Sequence, residues 1–566
     1  MPTAAFATLG CKVNQYETQR ILDDFEERGF AITEFNAPAD VYVINTCSVT
    51  QAAERKSRQM VRNLARQNAD AIVVMTGCYG EMARIKGETV EEATLIVPNH
   101  LKLDTLKQVL EAYPRLEQDL AANAPQPNSI PAARRTRATL KVQDGCNVFC
   151  SFCSIPYTRK FMVSRPMDEL IREAEKRAAQ GYRELVVTGV LVGAYGQDNF
   201  IPILGAELRR VERGPSPTDW KPFTGGVERG PSPTDWKPFT GGDASDPART
   251  DRSALNGGDG DSDPARAERI PLNGIGESEP VRAQIDLADC LLRLTRVPGI
   301  ERVRLSSIEP TQVTDRLLDA FASEPKLCRH LHIPVQSGDT TVLRAMNRPY
   351  NKDFYLERCR EAYRRIPDLA ITSDIMVGFP GEDRAAFEST LDVVRRVGYA
   401  RAHLFRYSPR PNTPAADYAD QVSEQEKEAR SKELAAACRE TQQQFISRFI
   451  GRTLEVLVEG KEPAAATAGE AGGGESGNDR HERVALLNEH PRGGLLGGYT
   501  SNYIRVEFTG GSHLCGTVTG VRLLETSASG AVGEVGGAHF GPMEAPPDAD
   551  FIPLASFAGS LAQQAR

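Results

Sequence analysis

The chain has 566 residues, 40% of them hydrophobic and 25% charged, and a formal net charge of −8. This composition excludes collagen-like, wholly disordered and disulfide-scaffold classes and leaves room for three or more domains. With no run of about eighteen apolar residues, and a start (Met1-Pro-Thr-Ala-Ala-Phe6) that lacks the basic and apolar stretches of a secretory signal, the expected location is the cytoplasm.

Eleven cysteines, an odd number, are spread along the chain. That pattern predicts a reducing compartment and thiolate ligands rather than a disulfide framework. Residues 1–113 read as the first domain. Apolar runs at 4–9, 41–44 and 71–75 predict strands, and 15–28 and 50–67 predict helices between them. Continuous apolar strands alternating with helices predict a doubly wound parallel sheet, whose ligands gather at the carboxyl ends of its strands. The three runs lead into Gly10-Cys11, Thr46-Cys47 and Gly77-Cys78. Cys11, Cys47 and Cys78 are therefore expected to meet as one three-thiolate site. The bland reading, three unrelated buried cysteines, requires all three strand ends to coincide by chance.

Residues 114–134 read as a linker rich in Pro, Ala, Asn and Arg. Within 135–420, six strand-like runs (139–143, 184–190, 302–308, 330–336, 371–378 and 401–407) alternate with helical patterns at 167–180, 314–322, 353–365 and 385–397. They predict a partial (β/α)6 barrel with its site at the C-terminal strand ends. Immediately after the first of these strands come Cys146, Cys150 and Cys153 in a CxxxCxxC spacing. Three thiolates so placed can hold three irons of a 4Fe–4S cube and leave the fourth open. A structural zinc normally takes four ligands, and no fourth Cys or His lies in the residues that follow. Arg134, Arg135, Arg137, Lys141, Arg159, Lys160 and Arg165 flank the triad with only Asp144 against them, a basic field suited to a polyanion such as RNA or to a solvated linker.

Residues 199–284 read as a disordered insertion, and the sixteen residues 211–226 recur without change at 227–242. Residues 421–448 predict a connecting helix. Residues 449–524 predict a small antiparallel β-barrel from strand-like runs at 453–459, 503–508 and 516–523, split by a loop at 461–485. Residues 525–566 read as a disordered tail. The segments 199–284 and 525–566 hold 14 acids against 11 bases and 5 against 1, nearly all of the net charge, so the remaining parts are close to neutral.

Taken together, the chain resembles the radical S-adenosylmethionine methylthiotransferases. The resemblance rests on Leu9-Gly-Cys-Lys-Val-Asn-Gln-Tyr-Glu-Thr18, Asn45-Thr-Cys47 and Thr76-Gly-Cys78 in the first domain. In the barrel it rests on the triad, Leu331-His-Ile-Pro-Val-Gln-Ser-Gly338, Met346-Asn-Arg348 and Asp374-Ile-Met-Val-Gly-Phe-Pro-Gly-Glu382. Residues 450–524 resemble the RNA-binding TRAM domain. The resemblance implies two 4Fe–4S clusters. Cys146, Cys150 and Cys153 would hold the one whose open iron chelates S-adenosylmethionine for cleavage to a 5′-deoxyadenosyl radical. Cys11, Cys47 and Cys78 would hold an auxiliary one that carries the sulfur to be donated. Gly189, Glu309 and Gly378, at barrel strand ends, are candidates to shape the cofactor pocket; turn geometry and surface charge are the alternative. The first motif resembles the branch that modifies N6-threonylcarbamoyladenosine at position 37 of tRNA. Sister branches act on isopentenyladenosine in tRNA or on an aspartate of a ribosomal protein, and a non-catalytic iron–sulfur RNA-binding protein is the rival class. Lys160 and Asn412 stand where the family usually has glycine. Cys290, Cys328, Cys359, Cys438 and Cys515 fit no ligand pattern and read as packing residues.

Overall fold

The structure, a computed structural model, describes residues 1–48, 51–68, 70–88, 90–122, 136–159, 161–198, 285–410, 413–459 and 494–536. The readings placed on 199–284, on 461–485 and on the tail beyond 536 lie outside the described residues, as do Lys160 and Asn412.

Apolar strands covered on both faces pair best as a parallel sheet. In the first domain β1 (Thr3–Thr8), β2 (Ala31–Thr33), β3 (Val41–Thr46), β4 (Ile72–Gly77) and β5 (Leu95–Ile96) do so in the order β2-β1-β3-β4-β5. β3 is buried at every position. Its Val41 and Val43 pack with Ile21 and Phe25 of helix α1 (Lys12–Arg28). Its Tyr42 and Ile44 pack with Val61 and Leu64 of α2 (Gln51–Gln67) and Tyr79 of α3 (Cys78–Lys86). The linker reading needs correction at its start. Residues Pro114–Ala122 form a helix whose Leu116 and Leu120 are buried in the α1 layer.

The second domain contains β6 (Arg137–Asp144), a short antiparallel edge β7 (Val163–Ser164), β8 (Glu184–Gly189), β9 (Arg302–Leu305), β10 (His330–His332), β11 (Ala370–Val377) and β12 (Arg401–Arg406). β6, β8 and β9 pair in parallel, as do β10, β11 and β12, and the parallel bridge Ser307↔His332 joins the two sheets. The result is the six-stranded partial barrel. Side-chain caps start its helices: Thr314, Asn351 and Asp383 accept from the backbone N–H groups of Leu317, Phe354 and Ala386.

After the helix Glu424–Ser447, strands β13 (Thr453–Glu459), β14 (Gly494–Thr500), β15 (Arg505–Gly510), β16 (Val518–Ser527) and β17 (Gly530–Val535) close a barrel in the order β13-β14-β15-β17-β16. All its pairings are antiparallel except β15 with β17. The tail reading is therefore wrong at its start: β16 runs to Ser527, and β17 is the strand that closes the barrel. This small barrel docks where the six strands begin. Glu184, at the start of β8, accepts from Arg302 Nε at 2.8 Å and Arg304 Nε at 2.7 Å. Those guanidinium groups donate onward to the carbonyls of Tyr499, Thr500 and Ser501.

Candidate active site

Cys146, Cys150 and Cys153 lie in the loop that leaves the C-terminal end of β6. All three are partly buried. The loop has little regular structure of its own and is held from across the barrel. Ser151 donates its N–H to the Met346 carbonyl at 3.0 Å and its hydroxyl to the Ala345 carbonyl at 2.8 Å. Asn347, at φ +56°, donates its amide to the carbonyls of Val148 and Phe149. Arg348 Nη1 donates to Cys150 Sγ at 3.2 Å, and its Nη2 donates to Glu309 Oε2 at 2.6 Å. Burial pushes the Cys153 thiol up to about 11 and raises Cys146 and Cys150 as well. Protons leave such thiols when a metal replaces them, so the donor set fits iron ligation. Among the described residues no three Cys, His, Asp or Glu side chains are grouped around one metal ion. That is no obstacle to a cube, whose three thiolates each hold a different iron.

The second triad is positioned by strand register. Thr8 pairs with Asn45, and Asn45 with Thr76, so the three chains leave the sheet side by side. Cys11 then caps the start of α1, Cys47 follows β3, and Cys78 opens α3. Cys47 and Cys78 are buried and Cys11 is exposed. Gly10, the residue before Cys11, packs directly against Cys47. At φ +99°, with a Cβ that would stand 2.6 Å from Cys47 Sγ, the position admits no side chain.

Between the triads lies a buried charge network that the sequence reading missed. Glu17 of α1 accepts from Lys102 Nζ at 2.7 Å, Lys141 Nζ at 2.7 Å and both terminal nitrogens of Arg159 at 2.9 Å. Lys141 and Arg159 also donate to Asp144, two residues before Cys146. Burial alone would raise the Glu17 carboxyl, but Arg159, Lys102 and Lys141 outweigh it and hold it well below the usual range. Cys78 lies within the field of Lys102 and Arg159, so the network reaches from one triad to the other. It also corrects the basic-field reading for four of its seven cations; Arg134, Arg135 and Lys160 lie outside the described residues. Lys141 and Arg159 face inward onto Glu17 and Asp144, and Arg165 donates to Glu173 at 2.8 Å. Arg137 pairs with Glu459 and covers the Tyr499 ring.

Of the three pocket candidates, Glu309 is the one joined to the triad, through Arg348. A Cβ on Gly189 would stand 3.1 Å from the Gln143 carbonyl, so β8 ends in close contact with β6. Gly378, at φ +72°, lies under Lys427, whose Cγ would be 2.2 Å from a Cβ; its placement answers to turn geometry and close packing. Met346-Asn-Arg348 was visible as a motif, but its grip on the cysteine loop was not.

Residues 3–97 match the model of the uncharacterized protein family UPF0004, and residues 140–208 and 278–394 match the radical SAM superfamily. The threonylcarbamoyladenosine tRNA methylthiotransferase MtaB of Bacillus subtilis is 30% identical over 536 residues, covering 93% of this chain and 94% of that protein. The chain belongs to the radical S-adenosylmethionine methylthiotransferase family. The enzyme of the same name from Thermotoga maritima is 28% identical over 94% of this chain and 96% of its own. The tRNA-2-methylthio-N(6)-dimethylallyladenosine synthase of Carboxydothermus hydrogenoformans is 29% identical over 80% and 87%. A solved structure, the radical S-adenosylmethionine methyltransferase TsrM from Kitasatospora setae, aligns with TM-score 0.39 and 12% identity over 74% of this chain and 77% of that one, too distant a likeness to argue from. Family membership makes the chain an enzyme and implies a 4Fe–4S cluster and S-adenosylmethionine.

Proposed function

We propose that the enzyme adds a methylthio group to C2 of N6-threonylcarbamoyladenosine at position 37 of tRNA, in the cytoplasm, with two 4Fe–4S clusters. The observation that carries this reading is the match, over 80–94% of the chain, to relatives that bear that name in several organisms. Two sets of three cysteines at strand ends, tied together by one buried network, support the count of two. In this reading Cys146, Cys150 and Cys153 hold one cluster and Cys11, Cys47 and Cys78 the other. When bound, the clusters supply the reductive cleavage of S-adenosylmethionine and the sulfur to be transferred. The chain's own residues position and shield. Arg348 fixes Cys150 and sets Glu309 beside the pocket. Glu17 locks α1, which follows Cys11, to β6, which precedes Cys146, so the two sites keep a fixed relation. Burial of Cys47 and Cys78 screens their side of the second site from water, while Cys11 leaves the other side open. The C-terminal barrel is assigned as TRAM-like, with RNA as its ligand.

The test is nucleoside mass spectrometry on tRNA from a strain lacking the gene, before and after its return. The 2-methylthio derivative of threonylcarbamoyladenosine should be absent and then restored. Restoration of the methylthio derivative of isopentenyladenosine instead would move the enzyme to the sister branch, which the Carboxydothermus relative represents. Restoration of neither would point to the ribosomal-protein branch.

A further inference from the structure

The small barrel docks at the starting ends of the six strands, whereas the cysteine loop leaves their far ends. RNA contacts beside the mouth therefore call for another element: of the flanking cations first read as that surface, Lys141 and Arg159 are buried, and Arg137 and Arg165 are paired with Glu459 and Glu173. Helix α2 offers one. Ser57, Val61 and Leu64 are buried and seat it on the sheet. On the opposite side Arg55, Arg58, Arg62 and Arg66 are all exposed and, with Gln59 and Asn63, line a shallow groove of about 540 Å³. At 100° per residue the four arginines fall within about 80° of one another, and Arg55 to Arg66 spans about 16 Å. That is long enough to meet several successive phosphates.

Carboxylates near the stripe leave it basic. Arg62 pairs with Glu92 at 2.9 Å on the surface, a contact that breaks at little cost. Glu54 and Glu88 lie in the field of Tyr79, over whose ring Arg58 stands at 5.5 Å. Arg55 and Arg66 make no ion pair among the described residues. The stripe also begins near the site. Ser57 of the same helix accepts from the Cys47 N–H and donates to the Cys47 carbonyl, both at 3.3 Å, so α2 lies against the second triad.

We propose that the arginine face of α2 is a phosphate-binding track that carries the RNA backbone away from the barrel mouth. The inference rests on the tRNA reading above for the identity of the polyanion. Guanidinium forks suit phosphate, and a row of them on one rigid helix sets register without reading sequence.

The experiment is fluorescence anisotropy of labelled tRNA bearing threonylcarbamoyladenosine, titrated with iron-loaded enzyme over a range of salt. Arg55→Gln/Arg66→Gln should weaken binding and lower the log–log salt slope by roughly 2, about one for each phosphate that is no longer neutralised. Lys107→Gln/Lys432→Gln removes the same charge from exposed lysines elsewhere and should leave the slope unchanged. Melting temperature and iron content should match wild type in both. An unchanged slope in the arginine variant, or an equal drop in the lysine variant, overturns the track while leaving the tRNA reading intact. Failure of wild type to bind tRNA overturns both.

Discussion

Glu17 shows how much one side chain can fix. It is a buried carboxylate shared by three cations from three separate segments: Lys102, Lys141 and Arg159. Removing its charge leaves those cations buried with only Asp144 between them. Uncompensated buried charge is among the most destabilising of single changes, roughly 3–5 kcal/mol. Glu17→Gln should therefore lower the melting temperature by several degrees and speed proteolysis between the first two domains. A melting curve and proteolysis pattern like wild type would show that the network adds nothing to stability. The same residue explains a misreading. Along the sequence, Lys141, Arg159 and Arg165 stand almost unopposed beside the triad, yet their partners Glu17 and Glu173 come from α1 and from the helix Met167–Ala179. Charge counted along a chain does not see partners brought by the fold. The placement of the six cysteines, at three strand ends and in one loop, was legible for the opposite reason. Strand ends and a short spacing are local signals, and register does the rest.

At the scale of elements, long apolar runs announced themselves and short or glycine-rich ones did not. β3, β4 and β8 carry branched apolar residues in unbroken runs, whereas β6, β9 and β12 interleave apolar with charged residues and stood out by recurring between helical patterns. β2 and β5 have only three and two residues and acquire strand geometry from their neighbours. β14 reads Gly-Leu-Leu-Gly-Gly-Tyr-Thr, a composition with little strand propensity, and pairing on both sides makes it a strand. β17, missed for similar reasons, pairs in parallel with β15 and antiparallel with β16. Its loss would expose two strand edges at once and uncover Val521 and Leu523, which lie in the small barrel's core. A chain ending at Ser527 is thus expected to aggregate or to lose a thermal transition present in the full chain. A soluble truncation with an unchanged transition would mean that β17 does not close the barrel. Leu120 offers a milder check on the helix that replaced the start of the linker. Leu120→Ala should cost roughly 2–5 kcal/mol, and a surface-like effect below about 0.5 kcal/mol would mean the helix does not pack there.

At the scale of the whole molecule, the small barrel is joined to the larger one through Glu184. Burial would raise this carboxyl, but Arg304 and Arg302 outweigh it and hold it at about 2, below its ordinary 4.5. The folded value is depressed, so its stabilisation is fully present above about pH 4.5 and is lost as pH falls toward 2. The docking of the two barrels should weaken over that window. Glu184→Gln should remove most of the pH dependence there, while lowering stability at neutral pH by leaving two arginines buried without their anion. The pH-resolved melting of both proteins checks it, and parallel curves would show that another group sets the acid transition.

The two triads make different demands on the same molecule, so they should come apart by mutation. Reconstituted without oxygen, the enzyme should carry about eight irons, two cubes of four. Changing Cys146, Cys150 and Cys153 together to Ala should leave about half, with no cleavage of S-adenosylmethionine. Cys47→Ala is the sharper case. Cys47 sits against Gly10 in the first domain, and the contacts that hold the other triad come from Ser151, Asn347 and Arg348 of the barrel. None of them passes through Cys47, so the barrel site should remain intact. The variant should still convert S-adenosylmethionine to 5′-deoxyadenosine under reductant but form no methylthio nucleoside on tRNA bearing threonylcarbamoyladenosine. Methylthio product from Cys47→Ala would remove the second triad from the chemistry. Loss of cleavage along with product, in protein that keeps about four irons, would mean that the two sites are coupled more tightly than their separate contacts imply.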